Sequence, residues 1–309
     1  MLVEWIDVTT PAVRLRALTW GPPDAPMALC LHGFPDTAHG FRLLAPHLVE
    51  AGYRVVAPFM RGYAPSSLPR DHSFHIGALM DDALRVRDAA GPSHDDVVIG
   101  HDWGAVVATG LAALPDSPFR KAVVMSVPPA SALWHGRGWD MVTLLPEQLV
   151  RSWYIGYFQL PLVPDRFGPA IVPSLWRRWS PGYDAAEDLA YVRSAIGSRD
   201  LWSAALGPYR ATVRNRRPPD RYAELHRWWT QPPRLPTLYL HGGDDGCMSA
   251  EFAAFVRPSL PKGSDVAVVP GAGHFLQHQQ PDEVGRRIVD FVKVATGRLG
   301  GVHRDNLGL

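Results

Sequence analysis

Apolar and polar positions change rhythm along the chain. Between residues 27 and 119, short apolar runs bounded by turn residues alternate with longer stretches of helical spacing. Such alternation is the mark of a parallel sheet with crossover helices. It predicts strands at 27–31, 53–58, 97–99 and 122–127 and helices at 38–51, 74–90 and 105–114. Residues 2–20 are β-rich and predict antiparallel edge strands. From 128 to 232 the rhythm stops: apolar strand runs vanish and prolines are frequent. It resumes with strands at 237–240 and 266–269 and helices at 250–256 and 281–295. A sheet interrupted in this way predicts an α/β core, mostly parallel and flanked by helices, with a mainly helical cap inserted after the sixth main strand. The expected boundaries are core 1–128, cap 129–232, core 233–296 and a polar, loosely held tail 297–309.

Composition narrows the picture. At 309 residues the chain lies near the upper end of what one core supports. With 46% hydrophobic and 20% charged residues, it has the make-up of a folded globular protein. A net charge of +1, from 31 basic and 30 acidic residues, leaves no field to gather nucleic acid or an anionic membrane. Cys30 and Cys247 form no CxxC pair, so neither a disulfide framework nor a metal knuckle is expected. Glu4 and Asp7 stand where a signal peptide would be basic, and a cytoplasmic location is expected. The uncharged runs 122–136 and 266–281 are broken by Pro, Gly, His and Gln, so no membrane insertion is expected. Aromatic residues crowd the cap: eight of 11 tryptophans lie between Trp134 and Trp229, with six of nine tyrosines.

The chemistry sits in Gly100-His101-Asp102-Trp103-Gly104, between an apolar strand and a small-residue helix. Flanking glycines let the chain turn sharply, so the middle side chain projects at the strand end as in a nucleophile elbow, a stronger reading than a helix cap. Only His274 among 13 histidines follows a strand through a Gly-rich turn near the C-terminus, in Gly271-Ala272-Gly273-His274-Phe275. His278, four residues on, has no acidic or cysteine companion at zinc spacing, and neither metal nor cofactor is expected. An aspartate is already ionised and can displace a leaving group at a saturated carbon, giving an ester whose carbonyl the enzyme supplies. The histidine then activates water against that carbonyl. Epoxides and alkyl halides suit this chemistry.

From His32-Gly33-Phe34-Pro35-Asp36 to the final helix, the chain resembles the epoxide hydrolase branch of the α/β-hydrolase family. The resemblance implies an oxyanion hole from the backbone N–H groups of Phe34 and Trp103. It implies a triad acid in His241-Gly242-Gly243-Asp244-Asp245, where the family's Gly-x-x-Asp selects Asp245 and leaves Asp244 as a turn residue. It implies two cap tyrosines that polarise the oxirane oxygen. Trp153-Tyr154-Ile155-Gly156-Tyr157-Phe158-Gln159 assigns Tyr154, and Pro208-Tyr209-Arg210-Ala211 assigns Tyr209. Phe34, Pro35, Trp103 and Tyr157 are expected to contact substrate. Met60 to Ser67 resembles the family loop that shapes the floor beneath the elbow, and Asp36 stands where many members carry glutamate.

The expected function is conversion of an apolar epoxide and water to a vicinal diol, by a monomer or homodimer. A haloalkane or haloacetate dehalogenase with the same nucleophile is the alternative. Haloalkane dehalogenases typically carry asparagine where Phe34 stands, and haloacetate dehalogenases usually follow the nucleophile with arginine where Trp103 stands. A silent hydrolase fold that binds a small apolar ligand is a third reading, opposed by the presence of every catalytic residue type.

Overall fold

The computed structural model describes residues 2–135, 139–214 and 217–293. Eight strands form one sheet: β1 (Glu4–Thr9), β2 (Arg14–Trp20), β3 (Met27–Leu31), β4 (Arg54–Pro58), β5 (Val97–His101), β6 (Lys121–Met125), β7 (Thr237–Gly242) and β8 (Asp265–Val269). Their order is β1-β2-β4-β3-β5-β6-β7-β8, with β1 and β2 antiparallel at one edge and the rest parallel. β5, which carries the elbow motif, is therefore central, and its end lies at the sheet's carboxyl edge.

Strand residues alternate between two cores, as a period of two requires. Ala28, Cys30, Val97, Ile99, Val123 and Met125 face one side; Met27, Leu29, Leu31, Val98, Ala122 and Val124 face the other. Helices α1 (Ala45–Glu50), α2 (Ile76–Ala89) and α3 (Trp103–Ala113) cross between the first strands. The expected helix over 38–51 is two elements, a 3-10 turn at Ala38–Phe41 and then α1. Pro46 near the start of α1 cannot donate to the preceding turn, and its ring excludes a continuous helix there.

Between β6 and β7 the regular elements among the described residues are helices: α4 (Ala130–His135), α5 (Trp139–Arg151), α6 (Trp153–Tyr157), α7 (Val163–Phe167), α8 (Val172–Trp179), α9 (Ala186–Ile196), α10 (Arg199–Ala205), α11 (Gly207–Val213) and α12 (Asp220–His226), with one 3-10 turn at Gly168–Ile171. Tyr154, Phe158, Trp176, Trp179, Trp202 and Tyr209 from this insertion join the core cluster on the Cys30 face, so insertion and sheet share one apolar interior. The expected helix over 250–256 is again split, into a 3-10 turn at Ala250–Phe252 and α13 (Ala253–Val256). Helices α14 (Leu276–Gln279) and α15 (Pro281–Val292) close the chain. The end of the expected last helix, beyond 293, and the tail 297–309 lie outside the described residues. No helix among the described residues is long and apolar enough to cross a membrane.

A buried polar cluster joins insertion to sheet. His278 of α14 lies between Asp36, with Nε2 3.1 Å from Oδ2, and Asp188 of α9, with Nδ1 3.2 Å from Oδ1. Arg42 donates to Asp188 Oδ1 at 2.6 Å and Tyr183 to Oδ2 at 2.7 Å. Burial disfavours the imidazolium of His278, but the two carboxylates outweigh it and raise the ring to about 9. Asp36, unexplained by sequence, is thus the sheet's half of this junction, and the companions that spacing along the chain did not give His278 are distant in sequence.

Candidate active site

Asp102 alone connects β5 to α3, at φ 52° and ψ −118°. Left-handed backbone at a non-glycine is strained and persists where neighbours over-determine it. Here they do. A Cβ on Gly100 would lie 2.1 Å from the Gly104 carbonyl oxygen, and one on Gly104 1.9 Å from that of Leu31. Strand and helix approach too closely for any side chain at either position, which forces the tight turn that projects Asp102.

Phe34 N–H donates to Asp102 Oδ1 at 2.8 Å. A Cβ on Gly33 would fall 2.3 Å from that oxygen and 2.6 Å from Trp103 N, so the Trp103 amide stands beside the same carboxylate. The His32 ring braces this turn: Met60 N–H donates to Nε2 at 3.0 Å, which leaves the proton on Nδ1 to donate to Gly33 O at 2.9 Å. This ties the 60–67 loop to the floor of the site. The Phe34 ring packs against Phe158, Trp202 and Tyr209 with centroids 5.4, 5.6 and 5.4 Å away. Pro35 O accepts from Trp176 Nε1 at 2.9 Å.

His274 Nδ1 lies 3.0 Å from Asp245 Oδ2, and its Nε2 3.5 Å from Asp102 Oδ2. Asp245 Oδ1 accepts from the amides of Cys247 and Met248 at 2.7 and 3.0 Å. Asp244 is exposed, and its amide is used by Ala272 O. The structure thus brings Asp245, not its neighbour, to the imidazole. Burial disfavours the Asp245 carboxylate, yet His274 beside it holds the carboxyl below the usual range. Burial likewise disfavours the His274 imidazolium, but the Asp245 and Asp102 carboxylates outweigh it and hold the ring well above the usual histidine value, while burial pushes the neighbouring Cys247 thiol up.

His101 and Ser126, which sequence reasoning missed, fix the backbone beneath His274, donating to its carbonyl from Nε2 at 2.8 Å and Oγ at 2.6 Å. Burial pushes the His101 ring down to about 4, so it acts as a neutral donor.

A cavity of about 150 Å³ opens on Asp102, lined by Trp103, Val106, Tyr154, Ile155, Tyr209 and Cys247 among others. Tyr154 and Tyr209 are both buried, with rings 5.8 Å apart, and burial holds both hydroxyls well above the usual tyrosine range. The Tyr209 hydroxyl and the Trp103 indole N–H have no hydrogen-bond partner among the described residues. The Tyr154 hydroxyl lies 3.4 Å from Cys247 Sγ. Tyr157 does not line the cavity; its ring lies against Trp153 and Phe158. Neither Phe34 nor Pro35 is among the lining; Phe34 meets the site through its amide on Asp102 and its ring against Tyr209.

Asp245, Cys247 and His274 each present one ligand-type atom within 4.8 Å of the others. The carboxylate and imidazole of this trio are already bound to each other. Sequence reasoning used Cys247 only to set aside a disulfide framework and a metal knuckle; the available signal was its place two residues after the acid, in the loop that shapes the site.

Comparison with known proteins identifies the fold. The family model described as alpha/beta hydrolase fold matches residues 28–281. The AB hydrolase superfamily protein YfhM of Bacillus subtilis is 30% identical over 293 residues, covering 93% of this chain and 96% of that one. Epoxide hydrolase A of Mycobacterium tuberculosis is 28% identical over 324 residues, covering 92% of this chain and 96% of its own. The crystal structure of Epoxide Hydrolase A from Mycobacterium thermoresistibile superposes with a TM-score of 0.69 at 27% identity, over 94% of this chain and 98% of that one. Sheet order, the matched model and these relatives make the chain a member of the α/β-hydrolase family and a hydrolase.

Proposed function

We propose that this hydrolase opens a small apolar epoxide to a vicinal diol through a covalent ester on Asp102. The observation that carries the reading is a buried carboxylate sharing one apolar cavity with two phenols that burial keeps protonated. A carboxylate nucleophile needs no base, and an opening oxirane needs acids for its departing oxygen, whereas a serine-type acyl transfer needs neither phenol. Relatives bearing the name epoxide hydrolase support the same choice.

In the first half, an Asp102 oxygen attacks a ring carbon while Tyr154 and Tyr209 hydrogen-bond the oxirane oxygen, which leaves protonated. In the second, His274, held by Asp245, takes a proton from water. The hydroxide attacks the Asp102 carbonyl carbon, and the amides of Phe34 and Trp103 stabilise the developing oxyanion. The ester C–O bond then breaks, the departing oxygen takes the remaining proton of the added hydroxyl, the diol leaves and the carboxylate returns. The helical insertion acts as the cap that supplies the acids and excludes water during alkylation.

The test is diol formation from a panel of apolar epoxides, with Asp102→Ala and His274→Gln as controls. Loss of diol in Asp102→Ala and a stable Asp102 adduct in His274→Gln are expected; full diol formation by Asp102→Ala overturns the reading. Haloalkane dehalogenation is the second reading, favoured by the unpartnered Trp103 N–H as a halide donor. Against it, Phe34 offers no second side-chain donor, and halide release without diol formation would decide for it.

A further inference from the structure

One titratable side chain in the cavity has no part in the reaction above. Cys247 is buried, lines the cavity and has its Sγ 3.4 Å from Tyr154 Oη. The same sulfur lies within 4.8 Å of an Asp245 carboxylate oxygen and a His274 ring nitrogen. Its position is fixed from both sides of the peptide: the amide donates to Asp245 Oδ1 at 2.7 Å, and the carbonyl accepts from Gln148 Nε2 of α5 at 3.0 Å. The two cavity tyrosines are therefore not equivalent. Tyr154 is backed by a group that can return a proton, and Tyr209 is not.

The charge balance of the reaction supplies the reason. Alkylation turns the Asp102 carboxylate into a neutral ester and leaves the ring oxygen in need of a proton. It also removes the negative charge 3.5 Å from His274 Nε2, one of the charges that keep the imidazole protonated. A proton becomes surplus at His274 at the moment one is needed at the substrate, with one thiol between them.

Resting on the epoxide reading, we propose that Cys247 relays a proton from His274 to Tyr154 during ester formation. The Asp102–carbon bond forms and the ring C–O bond breaks, its electron pair going to oxygen. Tyr154 gives its proton to that oxygen, Cys247 gives its own to Tyr154, and the His274 imidazolium gives one to Cys247. Loss of the Asp102 charge lowers His274 from its raised value as the opening ring oxygen begins to draw a proton through Tyr154, so both ends of the chain favour transfer in this direction. The cycle closes in the second half, when His274 regains its proton from the attacking water. A short movement of the thiol, or one water, spans the distance on the histidine side.

The test separates the two half-reactions by rapid quench under single-turnover conditions, following the ester by mass. Cys247→Ala is expected to slow ester formation about tenfold or more while decay of the formed ester stays within twofold, the share a positioned proton donor commonly supplies being larger still. Cys247→Ser, which keeps a donor and acceptor, is expected to recover most of the rate. In a Tyr154→Phe background Cys247→Ala should add nothing, whereas in Tyr209→Phe it should keep its full effect. The wild-type protein alone gives a second readout, a slowing of ester formation by twofold or more in deuterium oxide. Equal slowing of both half-reactions, no rescue by serine, or no solvent isotope effect overturns the relay. These outcomes leave the epoxide reading intact if the wild type still forms the Asp102 ester; absence of that ester overturns both.

Discussion

Asp245→Asn tests the division of labour at the centre of the site. Asparagine keeps the shape and one oxygen, so the amides of Cys247 and Met248 retain their acceptor. What changes is the group 3.0 Å from His274 Nδ1. An amide NH₂ there makes Nδ1 the acceptor and leaves the ring proton on Nε2, the atom that must take a proton from water. Removing a unit charge at 3.0 Å forfeits about 5 kcal/mol at an effective dielectric of 20. That equals roughly 10⁴ in rate, the size of effect a tautomer-setting carboxylate has in other triads. The loss should fall chiefly on ester hydrolysis, because in alkylation the Asp102 carboxylate attacks without a base and His274 supplies only the relayed proton, a step worth about tenfold beside the loss in hydrolysis. Single-turnover quench with intact-mass detection should therefore find nearly all enzyme as the Asp102 ester, decaying about 10⁴ times more slowly than wild type. Asp244→Asn, in an exposed side chain, should leave both steps within about twofold, as surface changes away from a site usually do. An Asp245→Asn protein whose ester decays within tenfold of wild type would refute the assignment of Asp245 and the role given to His274.

Further outcomes follow from other parts of the structure. Gly33→Ala places a methyl 2.3 Å from Asp102 Oδ1, and a displacement of that order should lower turnover at least about 10²-fold, with unchanged kcat and KM as the contrary result. Trp103→Phe removes the unpartnered indole N–H; diol formation should persist within about tenfold, a modest effect for one hydrogen bond, while a dehalogenase would lose halide release altogether. His278, between Asp36 and Asp188, is raised by folding from 6.5 to about 9. Its protonated form is the one folding favours, so its contribution of about 3 kcal/mol is fully present below pH 6.5 and lost as pH rises through 9. Denaturant melts at pH 6 and pH 9.5 should thus show a gap between wild type and His278→Gln that closes at the higher pH. A gap independent of pH would contradict the charged junction.

The residues that make backbone geometry were the most legible in the sequence. Gly100 and Gly104 announced a turn too tight for side chains, and β5 and α3 meet there as close contact requires. The strand rhythm of 27–127 placed the core because a buried parallel strand must be apolar throughout. Helix 38–51 was read as continuous because its apolar spacing passes over Pro46, whose effect is local. The choice between Asp244 and Asp245 rests on which carboxylate the loop turns inward, and that depends on the amides of Cys247 and Met248 two and three residues on. Cys247 and the Asp36–His278–Asp188 junction were invisible for a different reason. Their partners lie 93 residues away for Cys247 and Tyr154 and 242 for Asp36 and His278, and no periodicity links such positions. Tyr157, close in sequence to Tyr154, sits on the same short helix but packs toward Trp153 and Phe158.

The covalent ester on Asp102 is tested most directly by one turnover with excess enzyme in ¹⁸O-labelled water, followed by mass analysis of the peptide that contains Asp102. Hydrolysis at the ester carbonyl puts a label into the Asp102 carboxylate and leaves the diol from that turnover unlabelled. Label in the diol with none in Asp102 would mean that water attacks the substrate directly, and the nucleophile assignment would fall.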